Sequence, residues 1–98
     1  MKIMKTQNAS AWTFALEGRL DSTTAPALET ELKAFLDCAS EIVFDMEKLE
    51  YISSAGLRVL LSAQEAMVKK GGMKVIHVNK TVMEIFEITG FSDILDVE

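Results

Sequence analysis

Residues that staple, kink or decorate a fold are scarce in this chain of 98 residues, which has one cysteine, one proline, one histidine, one tryptophan and one tyrosine. A single cysteine, Cys38, closes no intrachain disulfide, which suits a reducing compartment. With no charged neighbour to activate it, Cys38 is expected as a small buried hydrophobe near a helix end. One histidine and one cysteine make no ligand set, so no metal site and no cofactor is expected. The lone histidine, His77, falls in the middle of a predicted strand, and no Gly-x-Ser-x-Gly elbow is present, which argues against a serine hydrolase. Neither Gly56 nor Gly71-Gly72 belongs to a Gly-x-x-x-x-Gly-Lys-Ser/Thr phosphate loop. The reading is that the chain is not an enzyme.

Positive charge is also short. Ten Lys and Arg face 15 Asp and Glu, for a net charge of −5, and Lys69-Lys70 is the only adjacent basic pair. Nucleic acid is therefore not an expected partner. No stretch approaches the roughly 20 apolar residues of a membrane span. Met1-Lys2-Ile3-Met4-Lys5 has no apolar run behind it, so no signal peptide is read. The expected location is the cytoplasm.

What is present fits one globular domain over residues 1–98, with 49% hydrophobic and 26% charged residues, enough for a single core. Ile3–Thr6 and Trp12–Glu17 read as two strands joined through residues 7–10. In the second, Trp12, Phe14 and Leu16 alternate with Thr13, Ala15 and Glu17. Turn and capping residues occupy 18–24, with Thr24 as N-cap and Pro26 in the first turn of a helix. That helix carries Leu28, Leu32, Phe35 and Leu36 on one face and ends near Cys38. The apolar run Glu41–Asp45 reads as a buried strand followed by a loop over residues 46–52. A second helix shows Leu57, Leu60, Leu61, Gln64 and Val68 on one face and stops at Lys69-Lys70-Gly71-Gly72. Lys74–Val78 is a strand. A last helix starts at Asn79 or Thr81, where Thr81 and Glu84 are spaced as a capping box, and closes at Gly90. Its inner face is Val82, Ile85, Phe86 and Thr89, and the tail beyond Phe91 reads as an edge strand or a segment packed on a helix. The fold class is α/β, a mixed and mostly parallel sheet opened by a β-hairpin, with helices packed on it.

The most distinctive segment is Ile52-Ser53-Ser54-Ala55-Gly56-Leu57. It places two hydroxyls at the start of a helix, beyond the carboxyl end of a strand, where functional groups of α/β sheets collect. A helix N-terminus welcomes an anion, so Ser54 or its neighbour Ser53 is a candidate phosphorylation switch. Ser-Ser before a helix is also what an ordinary cap looks like, and the four-residue feature alone leaves both readings open. Gly56 is read as letting a backbone or a phosphate approach closely.

The same segment resembles the signature of the STAS family, the sulphate transporter and anti-sigma factor antagonist domains, in which Asp-Ser-Ser/Ala/Thr-Gly-Leu opens a helix. Gly18-Arg19-Leu20-Asp21 resembles the family's Gly-x-Leu-Asp. Val43-Phe44-Asp45-Met46 with Leu49 resembles its apolar strand ending in Asp, followed by a loop leucine or valine. The resemblance spans essentially the whole chain. It implies a phosphoacceptor at Ser54, with Ser53 standing where the family has Asp and so becoming a competing acceptor.

Small stand-alone domains of that family resemble anti-sigma factor antagonists. The resemblance implies binding, when unphosphorylated, to an anti-sigma factor that is also a serine kinase, release on phosphorylation, and resetting by a serine phosphatase. The implied partner surface includes Asp21, Ser22, Thr23, Ser53, Gly56 and Arg58. Arg58 reads equally as a solvated helix charge, and Asp21 equally as a helix-start residue. The alternative is an accessory STAS subunit of a membrane lipid transport complex. A regulatory network without a sigma factor, using the same partner exchange, also stays open.

Overall fold

A computed structural model describes residues 1–98, with the elements β1 (Lys2–Asn8), β2 (Ala11–Leu20), α1 (Ala25–Leu36), β3 (Glu41–Ile52), α2 (Ser54–Met67), β4 (Met73–Ile76), α3 (Lys80–Thr89), a 3-10 turn (Phe91–Asp93) and β5 (Asp96–Val97). The five strands form one sheet in the order β1-β2-β3-β4-β5. β1 and β2 are the antiparallel hairpin, and every later neighbour is parallel. The mixed, mostly parallel α/β sheet expected from the sequence is what forms.

The order has a geometric consequence. From β2 to β5 the sheet grows in one direction, and each step passes through a helix. Right-handed crossovers taken repeatedly in one direction put all three helices on one face of the sheet. Burial along the strands agrees. Phe14 and Leu16 of β2, Ile42, Phe44 and Met46 of β3, and Met73 and Val75 of β4 are buried, while Ala15, Val43, Asp45 and Lys74 between them are only half-buried. The covered face holds a cluster of 22 buried hydrophobic residues. At its α1 side, Phe35 packs tilted against Trp12 at 4.5 Å and edge-on against Phe14 at 5.6 Å, ring centre to ring centre. Lys5 reaches under the β1 edge to pair with Glu31. No helix is long and apolar enough to cross a membrane.

The structure corrects several sequence readings. The loop expected over residues 46–52 is strand: β3 continues to Ile52, paired with β2 to its end. Two register slips, between Ala15 and Glu17 and between Gly18 and Arg19, each give β3 one extra residue opposite β2. These bulges shift the alternation so that Met46, Leu49 and Ile52 all point inward, a spacing of three that hides a strand from a period-two reading. β2 likewise runs on to Leu20, through Gly18 at φ 102°.

Cys38 is exposed, not buried, because it follows the end of α1. β4 stops at Ile76, so His77 is outside the strand, in a left-handed turn at φ 56°. Asn79, not a Thr81–Glu84 box, caps α3, its Oδ1 accepting from the Val82 N–H at 2.9 Å. Thr24 is the α1 N-cap by position, but its hydroxyl turns back to donate to the Arg19 carbonyl at 2.9 Å. Val68 lies at the exposed C-cap of α2, and Val59 takes its place inside.

Candidate functional site

The carboxyl ends of β2 and β3 stop side by side, Leu20 paired with Ile52, and the next residues of both strands build the site. The Ser53 N–H donates to the Leu20 carbonyl at 2.9 Å, which pins the start of α2 to the end of β2. On the β2 side, Asp21 is a loop organiser. Its Oδ1 accepts from the Thr23 N–H at 3.0 Å and from the Thr23 hydroxyl at 2.6 Å, an Asx-type turn that carries the chain into α1. These bonds, the Thr23 hydroxyl first, hold the Asp21 carboxyl below its ordinary value of 3.8, and the Arg19 charge adds to them. The Arg19 guanidinium itself lies 4.5 Å from the centre of the Tyr51 ring. The loop is thus held by its own bonds, with Ser22 and Thr23 exposed on its outside.

On the β3 side the two serines have different fates. Ser53 is the N-cap residue of α2, extended at φ −96° and ψ 176°, yet its hydroxyl makes no cap bond. Its Oγ is buried and has no hydrogen-bond partner. Ser54 is the first helical residue and is exposed. Neither serine caps the helix with its side chain, and no acidic residue stands in the first turn. The first-turn N–H groups are thus left without a side-chain partner, and the positive end of the helix dipole lies beside the Ser54 hydroxyl.

Gly56 has a role other than the one read from sequence. It is buried, and a Cβ added to it would lie 2.7 Å from Leu20 Cγ and 2.9 Å from Ile52 Cγ1. The missing side chain lets α2 close down on the ends of β2 and β3. Gly56 is therefore withdrawn from the expected partner-contact set; it fixes where Ser54 sits. Arg58 is exposed on α2 and, with Ser22, borders an open groove of about 610 Å³ between the starts of α1 and α2, where Ala55 and Pro26 also contribute. The fold thus brings Ser22 and Arg58 to one depression. Asp21, Thr23 and Ser53 stand on the adjoining rim.

A second group, at the middle of β3 and the carboxyl end of β4, escaped the sequence reading, which counted only histidine and cysteine as ligands. His77 Nδ1 lies 3.1 Å from Asp45 Oδ1 and 3.9 Å from Glu47 Oε2. The signal available was the register of Val43-Phe44-Asp45 with Lys74-Val75-Ile76, which sets Asp45 opposite Ile76 and leaves His77 one residue beyond.

The chain matches the model of the STAS domain over residues 2–98. It is 42% identical over 84 residues to BtrV of Bordetella bronchiseptica, which bears the name of a candidate anti-sigma factor antagonist. That match covers 84% of this chain and 72% of BtrV. In structure it is similar to an anti-sigma factor antagonist from Mycobacterium paratuberculosis, with a TM-score of 0.89, 24% identity, and coverage of 98% of this chain and 83% of that one. It is also similar to SpoIIAA of Bacillus in its phosphorylated form, with a TM-score of 0.77, 14% identity, and coverage of 99% and 91%.

Proposed function

The chain belongs to the STAS domain family, and from that premise we propose that it is an anti-sigma factor antagonist working by partner switching. Unphosphorylated, it binds an anti-sigma factor that is also a serine kinase. Phosphorylation of Ser54 ends that complex, and a serine phosphatase restores it. Its place of action on this reading is the cytoplasm, and it catalyses no reaction of its own.

The observation that carries the reading is the contrast between the two serines. Ser54 is exposed at the first position of α2, whereas the Ser53 oxygen is sealed in. A kinase needs an accessible hydroxyl, so Ser54 is the acceptor and Ser53 is not. A phosphate at Ser54 brings about −1.5 to −2 charges to a helix start that has no acidic side chain in its first turn. Helix-terminal anions are favoured by about 0.3–1 kcal/mol, so the domain stays folded. A partner covering this rim would have to desolvate the new charge. A loss of about 2.8 kcal/mol is about a hundredfold in affinity, enough to exchange partners. The surface covered would take in Asp21, Ser22, Thr23, the Ser53 backbone and Arg58.

The test is a binding titration with anti-sigma factor kinases from the same cell, using wild type, Ser54→Ala and Ser54→Asp, with mass spectrometry of the kinase reaction. Phosphate is expected on Ser54, with tight binding by Ser54→Ala and binding weakened about a hundredfold by Ser54→Asp. Undiminished binding by Ser54→Asp, or phosphate on Ser53, would overturn the assignment.

A further inference from the structure

The middle of β3 and the carboxyl end of β4 carry a cluster that the switch does not use. Asp45 and Glu47 project from β3 on either side of the buried Met46, and His77 follows β4 in the left-handed turn that leads to α3. Asp45 is in register with Ile76, so the reversal at His77 returns the imidazole toward the Asp45 carboxylate. Three donor atoms, Asp45 Oδ1, Glu47 Oε2 and His77 Nδ1, all lie within 4.8 Å of one another.

We propose that Asp45, Glu47 and His77 form a binding site for one divalent transition-metal cation of the zinc class. The spacing fits such an ion. A tetrahedral cation with bonds of about 2.0–2.1 Å holds its donors about 3.3–3.4 Å apart. The observed separations of 3.1 and 3.9 Å from the imidazole nitrogen fall on either side of that value. Glu47 is exposed and can swing inward without disturbing the core. The donor set is one imidazole and two carboxylates, which suits zinc, cobalt or nickel better than the all-oxygen shells of calcium or magnesium.

The surroundings also suit a cation. Asp45 and Glu47 border a recess of about 180 Å³ on the uncovered face of the sheet, where Glu17 adds a third carboxylate against the single cation Lys48. Three protein ligands leave a coordination position for water on that side. The Glu47 N–H donates to Asp45 Oδ1 at 3.1 Å, which steadies the carboxylate, and the other lone pair of that oxygen faces His77 Nδ1 at 3.1 Å, where an ion would come between them. A bound ion would tie β3 to the turn ahead of α3, at a place separate from the Ser54 rim. The inference is independent of the phosphorylation reading.

The test uses the full chain with no affinity tag, titrated with zinc by calorimetry and with cobalt by visible absorption. One ion per chain is expected, with a rise in melting temperature that a chelator reverses. Glu47→Gln removes one exposed donor, and His77→Asn keeps a residue tolerant of the left-handed turn. Each is expected to weaken binding by about tenfold or more while leaving the apo melting temperature near that of wild type. Cys38→Ser is expected to bind as wild type. No saturable binding up to millimolar zinc would overturn the proposal, as would unchanged affinity in His77→Asn or loss of binding in Cys38→Ser.

Discussion

Gly56→Ala is the substitution whose cost can be worked most directly. The new methyl carbon would sit 2.7 Å from Leu20 Cγ, 2.9 Å from Ile52 Cγ1 and 3.0 Å from Leu20 Cδ2. Carbon pairs prefer about 3.5–4.0 Å, so two contacts are short by roughly 0.6–0.8 Å before relaxation. Leu20 and Ile52 are 0% and 1% exposed, and the clashing Cγ and Cγ1 atoms sit one bond from Cβ atoms fixed on paired strands. They cannot simply swing away. Either those side chains leave their rotamers or α2 lifts off the sheet, and overpacking of this kind costs about 1–3 kcal/mol. Alanine returns at most about 1 kcal/mol through helix propensity. The net expectation is a loss of about 1–2 kcal/mol, or a melting temperature lower by about 5–15 °C for a domain of this size. Urea denaturation should show a lower midpoint with an unchanged slope, and Ser54 should be phosphorylated more slowly because its helix start has moved. A melting temperature equal to or above wild type would refute the claim that this glycine exists for close packing.

Ser53→Ala should change stability by less than about 0.5 kcal/mol, unlike the typical loss of about 1 kcal/mol for an N-cap serine, because the hydroxyl makes no cap bond; a clear loss in thermal melts would mean that the bond forms in solution. The Asp21 carboxyl should titrate below 3.8 by NMR, its hydrogen bonds with Thr23 holding the charged form. A folded value below the unfolded one means that the carboxylate stabilises the fold above pH 3.8 and that this is lost as pH falls through the folded value. Asp21→Asn should therefore flatten the acid limb of the stability curve in that window, and an unaltered limb would count against it. Cys38, being exposed, should react with a thiol reagent in the native state within minutes, and Cys38→Ser should shift the melting temperature by no more than a degree or two.

Element order and sheet class were legible because they rest on long, regular signals: the alternation of Trp12, Phe14 and Leu16, the helical spacing of Leu28, Leu32, Phe35 and Leu36, and the glycine stops. The full length of β3 was not legible. Bulges change side-chain phase, and the charged residues at them, Glu47 and Glu50, look like loop. Asn79 was one of two starts read for the last helix, but Thr81-Val82-Met83-Glu84 also satisfies the capping-box spacing, and only the tertiary contact of the Asn79 amide with the Leu49 carbonyl selects the earlier one. At the site, the sequence could place Ser53 and Ser54 at a helix start. It could not say which oxygen faces solvent, because adjacent residues at an N-terminus differ by side-chain direction alone. Gly56 was misread for a related reason: a missing side chain marks a close approach but not its partner. The Asp45–Glu47–His77 group joins residues about 30 positions apart and needs the parallel pairing of β3 with β4 to exist.

The one-sided cover of the sheet explains how such a domain could be switched without being destabilised. With all three helices on one face, the carboxyl ends of β2 and β3, paired at Leu20 and Ile52, open onto a single rim. The rim receives Asp21–Thr24 and Ser53–Ser54 from two separate connections, while the 22-residue hydrophobic cluster lies beneath the helices. Charge added on the rim acts on two very different energies. Toward the fold, it meets an open helix start and a side chain already in water, and a helix-dipole effect of about 0.3–1 kcal/mol is favourable in sign. Toward a bound partner, the same charge must lose its hydration, which costs several kcal/mol unless a cation is supplied. Opposite signs at one atom separate binding from folding. Ser53, whose Oγ is buried though the residue is only half-buried, would lack this property, since a phosphate there would have to enter the space beneath the helix start and would act on the fold itself.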